Sequence, residues 1–250
     1  MEKKIVSIIL AAGQGKRMNN PDLPKVLCPL HGKPLIQYVL ETVKELGTEK
    51  DVVIVGHQRE KLIEFFKENY PNVDTCVQDE QLGTGHAVAQ AEELLKSYVG
   101  DFLILAGDVP LITSESLNKF YDLHMEANAD VSVLSTITEY PFGYGRIVRN
   151  ETGIFKKIVE QKDAGEAEQA IKEINSGIYL VKSRLLFVAL RYVSNTNEQK
   201  EYYLTDIVEI LKNNGAIVRA FAAAEFEELQ GVNSVDDLKR AEESYTRLGR

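Results

Sequence analysis

The sequence lacks several features that identify common classes of protein. It has two cysteines, Cys28 and Cys76, in no paired motif, and its four histidines show no zinc-ligand spacing. We therefore expect both cysteines to be small buried residues in a reducing compartment. No apolar run approaches membrane-spanning length, and no signal-peptide pattern follows the first residues. These absences predict a cytoplasmic protein with no membrane partner.

A surplus of basic residues is also missing. The chain has 29 lysines and arginines against 38 acidic residues, which gives a net charge of -9. A general nucleic-acid binder presents a basic surface, so this balance argues against a nucleic-acid partner. A local cationic pocket for a small anion is still compatible with it. With 250 residues and 44% hydrophobic content, the chain can bury a sizeable core.

Short apolar runs alternate with amphipathic helical patterns along the chain. The predicted strands are Ile5–Leu10, Asp51–Gly56, Val73–Gln78, Phe102–Ala106, Val131–Ile137, Gly145–Arg149, Phe155–Val159, Ile174–Val181 and Ala216–Ala222. The predicted helices are Pro34–Leu46, Gln58–Asn69, Gly83–Ser97, Thr113–Ala127, Ser183–Tyr192, Tyr203–Asn213 and Val235–Tyr245. The early βαβα order predicts a mostly parallel sheet with helices on both faces. The closely spaced strands after Tyr140 predict an antiparallel extension across one end of the sheet.

The segment Ile8–Met18 (IILAAGQGKRM) combines an apolar strand, a small-residue turn and two cations. Small residues let a backbone approach a ligand closely, and free N–H groups with cations suit a polyphosphate. The glycine spacing does not fit a Walker A loop, and Met18 stands where a dinucleotide fingerprint needs its third glycine. The alternative is an ordinary strand-to-helix turn. Arg17 and, further on, Lys25 favour a phosphate-rich nucleotide.

An acidic residue, Asp108, directly follows the apolar run Phe102–Ala106 and Gly107. Ligands of open α/β sheets bind beyond the carboxyl ends of the strands, which places Asp108 at the same edge as the opening loop. Asp108 could be a turn or cap residue, which is common, or a Mg²⁺ ligand. A phosphate-binding loop at the same edge favours the metal ligand.

The opening loop is part of a wider pattern of sequence blocks. Leu10–Met18, with Pro24–Leu27 (PKVL) and Gly32–Leu35 (GKPL), resembles the signature of sugar-1-phosphate nucleotidylyltransferases. Further blocks follow in the order of that family. They make the chain most similar to the N-terminal uridylyltransferase half of bifunctional N-acetylglucosamine-1-phosphate uridylyltransferases/glucosamine-1-phosphate acetyltransferases. These blocks are Gln81–Ala87, Gly107–Leu111, Gly143–Ile147, Ile158–Asp163, Glu173–Gly177, Glu201–Asp206 and Gly231–Asn233.

The resemblance implies a fold and a domain organisation. The fold is α/β: a mostly parallel, Rossmann-like sheet of the GT-A nucleotidyltransferase type, with helices on both faces and an antiparallel, β-rich sugar-binding lobe. Residues 1–250 would form one nucleotidyltransferase domain. Within it, residues 1–112 would form the nucleotide-binding lobe, residues 113–232 the sugar-binding lobe and residues 234–250 a C-terminal helix.

The resemblance also implies a reaction. UTP and N-acetylglucosamine 1-phosphate would give UDP-N-acetylglucosamine and pyrophosphate, with Mg²⁺ as cofactor. A phosphate oxygen of the sugar would attack the α-phosphorus in line, so catalysis would consist mainly of positioning and charge neutralisation. No protein base is needed, because the attacking phosphate is already ionised.

The resemblance assigns a role to each matching position. Arg17 would bind the leaving phosphates, Lys25 the α-phosphate or sugar phosphate, and Lys162 is a weaker candidate for the sugar phosphate. The expected metal ligands are Asp108 and Asn233. The expected nucleotide contacts are Ala11, Ala12, Gly13, Gln78, Gly83 and Thr84. The expected sugar contacts are Gly145, Glu160, Asn175, Tyr203 and Thr205. Without the resemblance, Gln78 is an ordinary polar strand-end residue, Asn233 a turn or cap residue, and Tyr203 a packing residue.

The chain departs from the family pattern at a few positions. Lys16 stands where threonine is usual, Ala106 where tyrosine is frequent, and Ser176 where threonine is more usual. No hexapeptide β-helix follows, so we expect the acetyltransferase half, and the trimer that it builds, to be absent. Two alternatives stay open. One is a nucleotidylyltransferase for another sugar 1-phosphate, such as glucose 1-phosphate, or another NTP; the other is a non-catalytic nucleotide-sugar sensor.

Overall fold

The computed structural model describes residues 3–18, 20 and 22–249. The strands are β1 (Ile5–Ala11), β2 (Pro29–Leu30), β3 (Lys33–Pro34), β4 (Lys50–Val55), β5 (Asp74–Val77), β6 (Asp101–Ala106), β7 (Val131–Ile137), β8 (Arg146–Arg149), β9 (Phe155–Val159), β10 (Glu173–Lys182) and β11 (Val218–Ala222). The α-helices are α1 (Leu35–Leu46), α2 (Arg59–Asn69), α3 (Thr84–Ala89), α4 (Glu92–Leu95), α5 (Ser114–Glu126), α6 (Glu166–Gln169), α7 (Ser183–Leu190), α8 (Asp206–Asn213) and α9 (Val235–Arg247). Short 3₁₀ turns cover Lys16–Met18, Lys25–Leu27 and Phe226–Leu229.

The main sheet has the strand order β11-β7-β10-β6-β1-β4-β5. Within this order β10 is antiparallel to both neighbours, β6 and β7, and the other pairs are parallel. The predicted mostly parallel sheet is therefore confirmed. The antiparallel part was expected across one end, and the β8–β9 pair does extend from the start of β10. However, β10 itself lies inside the main sheet, a long-range pairing that no local pattern could reveal.

Side chains alternate between the two faces of the sheet, and each face carries its own core. Ile9 of β1 and Leu105 of β6 pack with helices α1, α2 and α5. Ile8 of β1 and Ile104 of β6 pack with helices α3, α4, α7 and α8. Helices thus cover both faces, as predicted. Among the described residues, no helix is long and apolar enough to cross a membrane.

Most predicted elements match the structure to within a few residues, and Thr113 is the cap of α5, accepting a hydrogen bond from the Ser116 N–H at 3.0 Å. Two helix predictions were too long. The helix predicted over Gly83–Ser97 is divided between α3 and α4 by a tight turn at Gln90 and Ala91. The helix predicted from Tyr203 begins only at Asp206.

The cysteine prediction is confirmed in part. Both cysteines are free, which fits a chain without a disulfide framework. Cys28 is buried in a small core cluster, whereas Cys76 is only half-buried at the edge strand β5.

Parallel strands β1 and β6 are neighbours, so their carboxyl ends meet at one edge of the sheet. The opening loop follows β1, and Asp108 follows β6. Because β10 runs in the opposite direction, its beginning lies at this edge as well. A bulge between Asn175 and Ile178, with Gly177 at φ 78°, interrupts the β10 register there. The fold therefore brings three sequence-distant segments to one place.

Candidate active site

A cleft of about 880 Å³ opens at this edge of the sheet. Its lining includes predicted residues from the phosphate, nucleotide, metal and sugar groups: Arg17, Thr84, Asp108, Gly145, Glu160, Asn175, Thr205 and Asn233. The remaining predicted residues lie outside its described lining: Ala11, Ala12, Gly13, Lys25, Gln78, Gly83 and Tyr203. Eight of the fifteen predicted residues therefore line one cleft, and seven do not.

The opening loop contains two glycines, and the protein's own packing requires only one of them. Gly15 has φ 59°, and a Cβ there would lie 2.8 Å from the Cβ of Lys25, so this position needs glycine for the fold itself. A Cβ at Gly13 would meet nothing within 4 Å. The protein's own packing therefore does not require glycine at 13, and its exposed backbone is open to a ligand. Ala11 and Ala12 just before it are buried.

The ammonium group of Lys25 joins the two predicted metal ligands. Its Nζ donates to Asp108 Oδ2 and, at 2.8 Å, to Asn233 Oδ1. The side chains of Lys25 and Asp108 are only 13% and 11% exposed, so water screens this pair weakly. The Asp108 carboxylate oxygen and the Asn233 amide oxygen thus both contact the same ammonium group, although the two residues are far apart in sequence.

The backbone around Asn233 is fixed by the start of α9. Ser234 caps this helix by accepting from the Asp237 N–H, and the Asp237 carboxylate accepts from the Asn233 N–H at 3.1 Å. The Val232 N–H also donates to the Asp108 carbonyl at 2.8 Å. Asn233 therefore lies at a helix start, as its residue type alone suggested, and also beside Asp108.

The arrangement of oxygens is suited to a hard divalent cation. Mg²⁺ prefers oxygen ligands and usually combines one or two protein carboxylates with water and substrate phosphates. Among the described residues, no group of three or more His, Cys, Asp or Glu side chains could hold a metal alone. Asp108 and Asn233 could therefore hold Mg²⁺ only together with oxygens from water or a phosphate substrate, which is the set expected at a nucleotide site.

Gln78 is held at the end of β5 behind the cleft. It is 3% exposed, and its Nε2 donates to the Gly83 carbonyl at 3.1 Å and lies 3.0 Å from His86 Nδ1. The amide orientation is thereby fixed with the nitrogen directed toward α3. The amide oxygen Oε1 takes part in neither of these contacts. His86 therefore helps to hold the Gln78 amide in place.

The loop that contains Gly83 and Thr84 packs on the segment before α8. The Tyr202 N–H donates to the Leu82 carbonyl, and the Tyr202 carbonyl accepts from the Gly85 N–H, each at 2.8 Å. A Cβ at Gly83 would lie 2.6 Å from the Tyr202 carbonyl oxygen, so no side chain fits there. The Leu204 N–H donates to Thr84 Oγ1 at 3.1 Å. These bonds explain why α8 begins late, since the backbone of 202–204 is committed to the loop.

At the other end of the cleft, the β10 bulge presents polar groups. Asn175 Nδ2 donates to the Tyr179 hydroxyl at 2.7 Å, and Asn175 Oδ1 accepts from the Gly177 N–H at 3.1 Å. The Asn175 N–H donates to the Gly145 carbonyl at 2.9 Å. A Cβ at Gly145 would lie 3.4 Å from both Glu160 carboxylate oxygens. These residues form one hydrogen-bonded wall of the cleft.

Acidic groups cluster beside this wall and perturb one another. Burial raises the pKa of Glu160, and the carboxylates of Asp163 and Asp206 raise it further, although a hydrogen bond from Thr205 opposes them. Burial, with Glu209 and Asp163, raises the pKa of Asp206 to about 6. Perturbed carboxylates in a cleft are typical of functional sites.

Tyr203 is placed differently from the other predicted sugar contacts. It is 7% exposed, lies beside Gln199 and does not line the cleft. Its position agrees with the packing role that its residue type suggested. Burial raises the pKa of its hydroxyl.

Several cleft residues were not identified from the sequence. Tyr144 packs edge-on against Phe226, with ring centroids 5.8 Å apart, and Tyr179 binds Asn175. Arg240 lines the cleft and pairs with Asp237. The position of Arg240 three residues after Asp237 on a predicted helix was a signal for that ion pair. No short-range sequence pattern could predict that this ion pair lies on the cleft wall.

Comparisons with known proteins identify the family to which this chain is related. The family model described as Nucleotidyl transferase matches residues 6–227. The Bifunctional protein GlmU of Bacillus mycoides is 49% identical over 237 residues, which are 94% of this chain and 50% of that protein. GlmU of Bacillus cereus matches with the same identity and coverage. The chain therefore spans about half the length of the curated relatives it matches.

Solved structures share the fold at lower identity. A UDP-glucose pyrophosphorylase complexed with UDP-glucose has a TM-score of 0.76 and 21% identity, covering 98% of this chain and 99% of that chain. HddC from Yersinia pseudotuberculosis, complexed with GMP-PN, has a TM-score of 0.69 and 20% identity, covering 97% and 99%. At these identities the structures support the fold alone. Because the family model covers most of the sequence, including both the opening loop and the β10 wall, this chain belongs to the nucleotidyl transferase family.

Proposed function

We propose that this protein is a uridylyltransferase that makes UDP-N-acetylglucosamine and pyrophosphate from UTP and N-acetylglucosamine 1-phosphate. The observation that carries the proposal is the convergence of Lys25, Asp108 and Asn233 at the edge of a cleft whose far wall holds Glu160 and Asn175. The GlmU relatives at 49% identity support the same activity. UTP and the sugar 1-phosphate would be its partners, and we place it in the cytoplasm.

The proposed reaction is an in-line displacement at phosphorus. An ionised oxygen of the sugar phosphate forms a bond to the α-phosphorus of UTP, and the bond from that phosphorus to the bridging oxygen of pyrophosphate breaks. Lys25 would neutralise charge that develops on the α-phosphate, and the exposed Arg17 would hold the departing phosphates. Because both substrates carry several negative charges, these cations also overcome repulsion during binding.

The oxygens of Asp108 and Asn233 would hold Mg²⁺ together with substrate phosphates and water. The ion would supply charge neutralisation and hold the triphosphate in one orientation. Lys25 contacts both of these oxygens, so its ammonium group and a bound Mg²⁺ would share the same pair of acceptors beside the α-phosphate.

Specificity would come from the two ends of the cleft. Gln78, with the backbone of Ala11–Gly13 and the Gly83–Thr84 loop, would contact uracil. Glu160, Asn175, Thr205 and Gly145 would contact the sugar hydroxyls and the N-acetyl group. Tyr203 is buried and does not line the cleft, so it would act on the sugar through the position of its backbone segment. We propose one domain with a nucleotide lobe and a sugar lobe.

The test is a pyrophosphate-release assay of the four NTPs against a panel of sugar 1-phosphates. The proposal expects release with UTP and N-acetylglucosamine 1-phosphate above every other pair, and dependence on added Mg²⁺. A preference for glucose 1-phosphate or for another NTP would change the proposed substrates, while the proposed nucleotidyl transfer would stand. If no substrate pair releases pyrophosphate while nucleotide-sugar binding is retained, the protein would be a non-catalytic sensor, and the proposed enzymatic activity would be contradicted.

A further inference from the structure

Arg146 is the most deeply buried charged residue of the sugar end. It is 1% exposed at the start of β8, immediately after Gly145. Burial lowers the pKa of its guanidinium, because removal from water disfavours the charged form. Among the described residues no carboxylate lies within ion-pair distance of it. A buried arginine without an acidic partner is costly, so its hydrogen bonds identify what it does.

Arg146 makes one hydrogen bond to the cleft-lining segment 143–145 and one to Gln161, which binds the same segment. Its Nη1 donates to the Tyr144 carbonyl, and its Nη2 donates to Gln161 Oε1 at 2.8 Å. The same Gln161 oxygen accepts from the Gly143 N–H at 3.0 Å. Arg146 and Gln161 thus hold the backbone of 143–144 from two sides.

The stretch that they hold supplies cleft-lining groups. Tyr144 and Gly145 line the cleft. The Gly145 carbonyl accepts the Asn175 N–H, and Gly145 lies against the Glu160 carboxylate. Any displacement of residues 143–145 would therefore move groups that the proposed function assigns to the sugar.

We propose that Arg146, acting with Gln161, is a positioning residue that sets the sugar-binding wall formed by residues 143–145. Arg146 is not among the residues that line the cleft, so it would act on the sugar only through this wall. The inference rests on the proposed function, and it predicts a selective effect. The sugar 1-phosphate should bind less well, while the nucleotide end of the cleft is unaffected.

The test compares steady-state kinetics of wild type, Arg146→Met, Gln161→Ala and Gln161→Glu with both substrates. Arg146→Met and Gln161→Ala should each raise KM for the sugar 1-phosphate by about 10-fold or more and change KM for UTP by less than about 2-fold. Gln161→Glu keeps an acceptor oxygen for both donors and should restore KM to within about 3-fold of wild type. The double variant Arg146→Met/Gln161→Ala should be little worse than either single variant, because the two act as one unit.

The matched control is Arg149→Met on the same strand. Arg149 pairs with Glu173 at 2.6 Å and makes no hydrogen bond to residues 143–145, so both KM values should stay near wild type. If Arg146→Met does not fold, the Gln161 pair of variants carries the test. Equal changes in both KM values, or failure of Gln161→Glu to rescue Gln161→Ala, would overturn this inference alone. A wild-type protein that turns over no substrate pair would overturn the proposed function and the inference with it.

Discussion

The replacement Lys25→Met removes a charge at the centre of the proposed site while keeping most of the side-chain volume. The Lys25 ammonium is the group that joins Asp108 to Asn233, and its side chain is 13% exposed. Removing one charged partner of the transition state costs about 3 kcal/mol, so kcat/KM should fall on the order of 10²-fold or more. Pyrophosphate release with saturating and limiting UTP measures this directly.

The same replacement should also change how the protein responds to a divalent cation. Without the ammonium, the mostly buried Asp108 carboxylate loses the cation with which it pairs in the described part of the chain. Breaking a fully buried pair costs roughly 3–5 kcal/mol and an exposed pair less than about 1 kcal/mol, so about 2–3 kcal/mol of unfolding free energy is expected here. Added Mg²⁺ should return part of this stability, and should therefore raise Tm more in Lys25→Met than in wild type.

The control is Lys50→Met, which removes another lysine–aspartate pair. Lys50 contacts Asp74 at 2.7 Å, at the amino end of β4 and β5 and thus at the opposite edge of the sheet, with both side chains more exposed. The loss of this ion pair should leave kcat/KM within about 3-fold of wild type and lower the unfolding free energy by less than about 1 kcal/mol. A change under threefold in kcat/KM for Lys25→Met, or equal effects in the two variants, would refute the assignment of Lys25.

Other predictions concern the metal, the base and the acidic cluster. Asp108→Ala should abolish Mg²⁺-dependent pyrophosphate release while near-native circular dichroism is retained; full activity would remove Asp108 from the metal site. Gln78→Ala should lower the preference for UTP over CTP in kcat/KM, and unchanged selectivity would argue that Gln78 only supports the 83–86 loop. The pKa of Asp206 rises from 3.8 to about 6 on folding, so the folded protein binds the extra proton and unfolding free energy falls as pH rises across that window. Asp206→Asn should therefore gain stability relative to wild type at pH 7.5, and this gain should vanish below about pH 4. The shift corresponds to about 3 kcal/mol, reduced to about 1–2 kcal/mol for a half-buried group, and urea unfolding at both pH values would measure it.

Local sequence patterns predicted the alternation of strands and helices and the common edge of the opening loop and Asp108. Each of these depends on short-range periodicity or on the rule that parallel strands end together. The placement of β10 between β6 and β7 depends on pairing with segments far along the chain, which no local period encodes. The contact between Lys25 and Asn233 is of the same kind. Lys25 was expected at a phosphate, and its contact with both Asp108 and Asn233 emerged only in three dimensions.

Gly13 and Gly83 show why a glycine in a binding motif needs a structure before it can be interpreted. Both belong to the predicted nucleotide contacts. A side chain at Gly83 would strike the Tyr202 backbone, so glycine there is already required for the loop to pack before α8. A Cβ at Gly13 would have nothing within 4 Å. If a substitution of Gly13 weakens nucleotide binding, the cause would therefore be a clash with the nucleotide rather than with the protein. A substitution at Gly83 would instead disturb the fold and both ends of the cleft together, because Thr84 and Leu204 are hydrogen-bonded across the same loop.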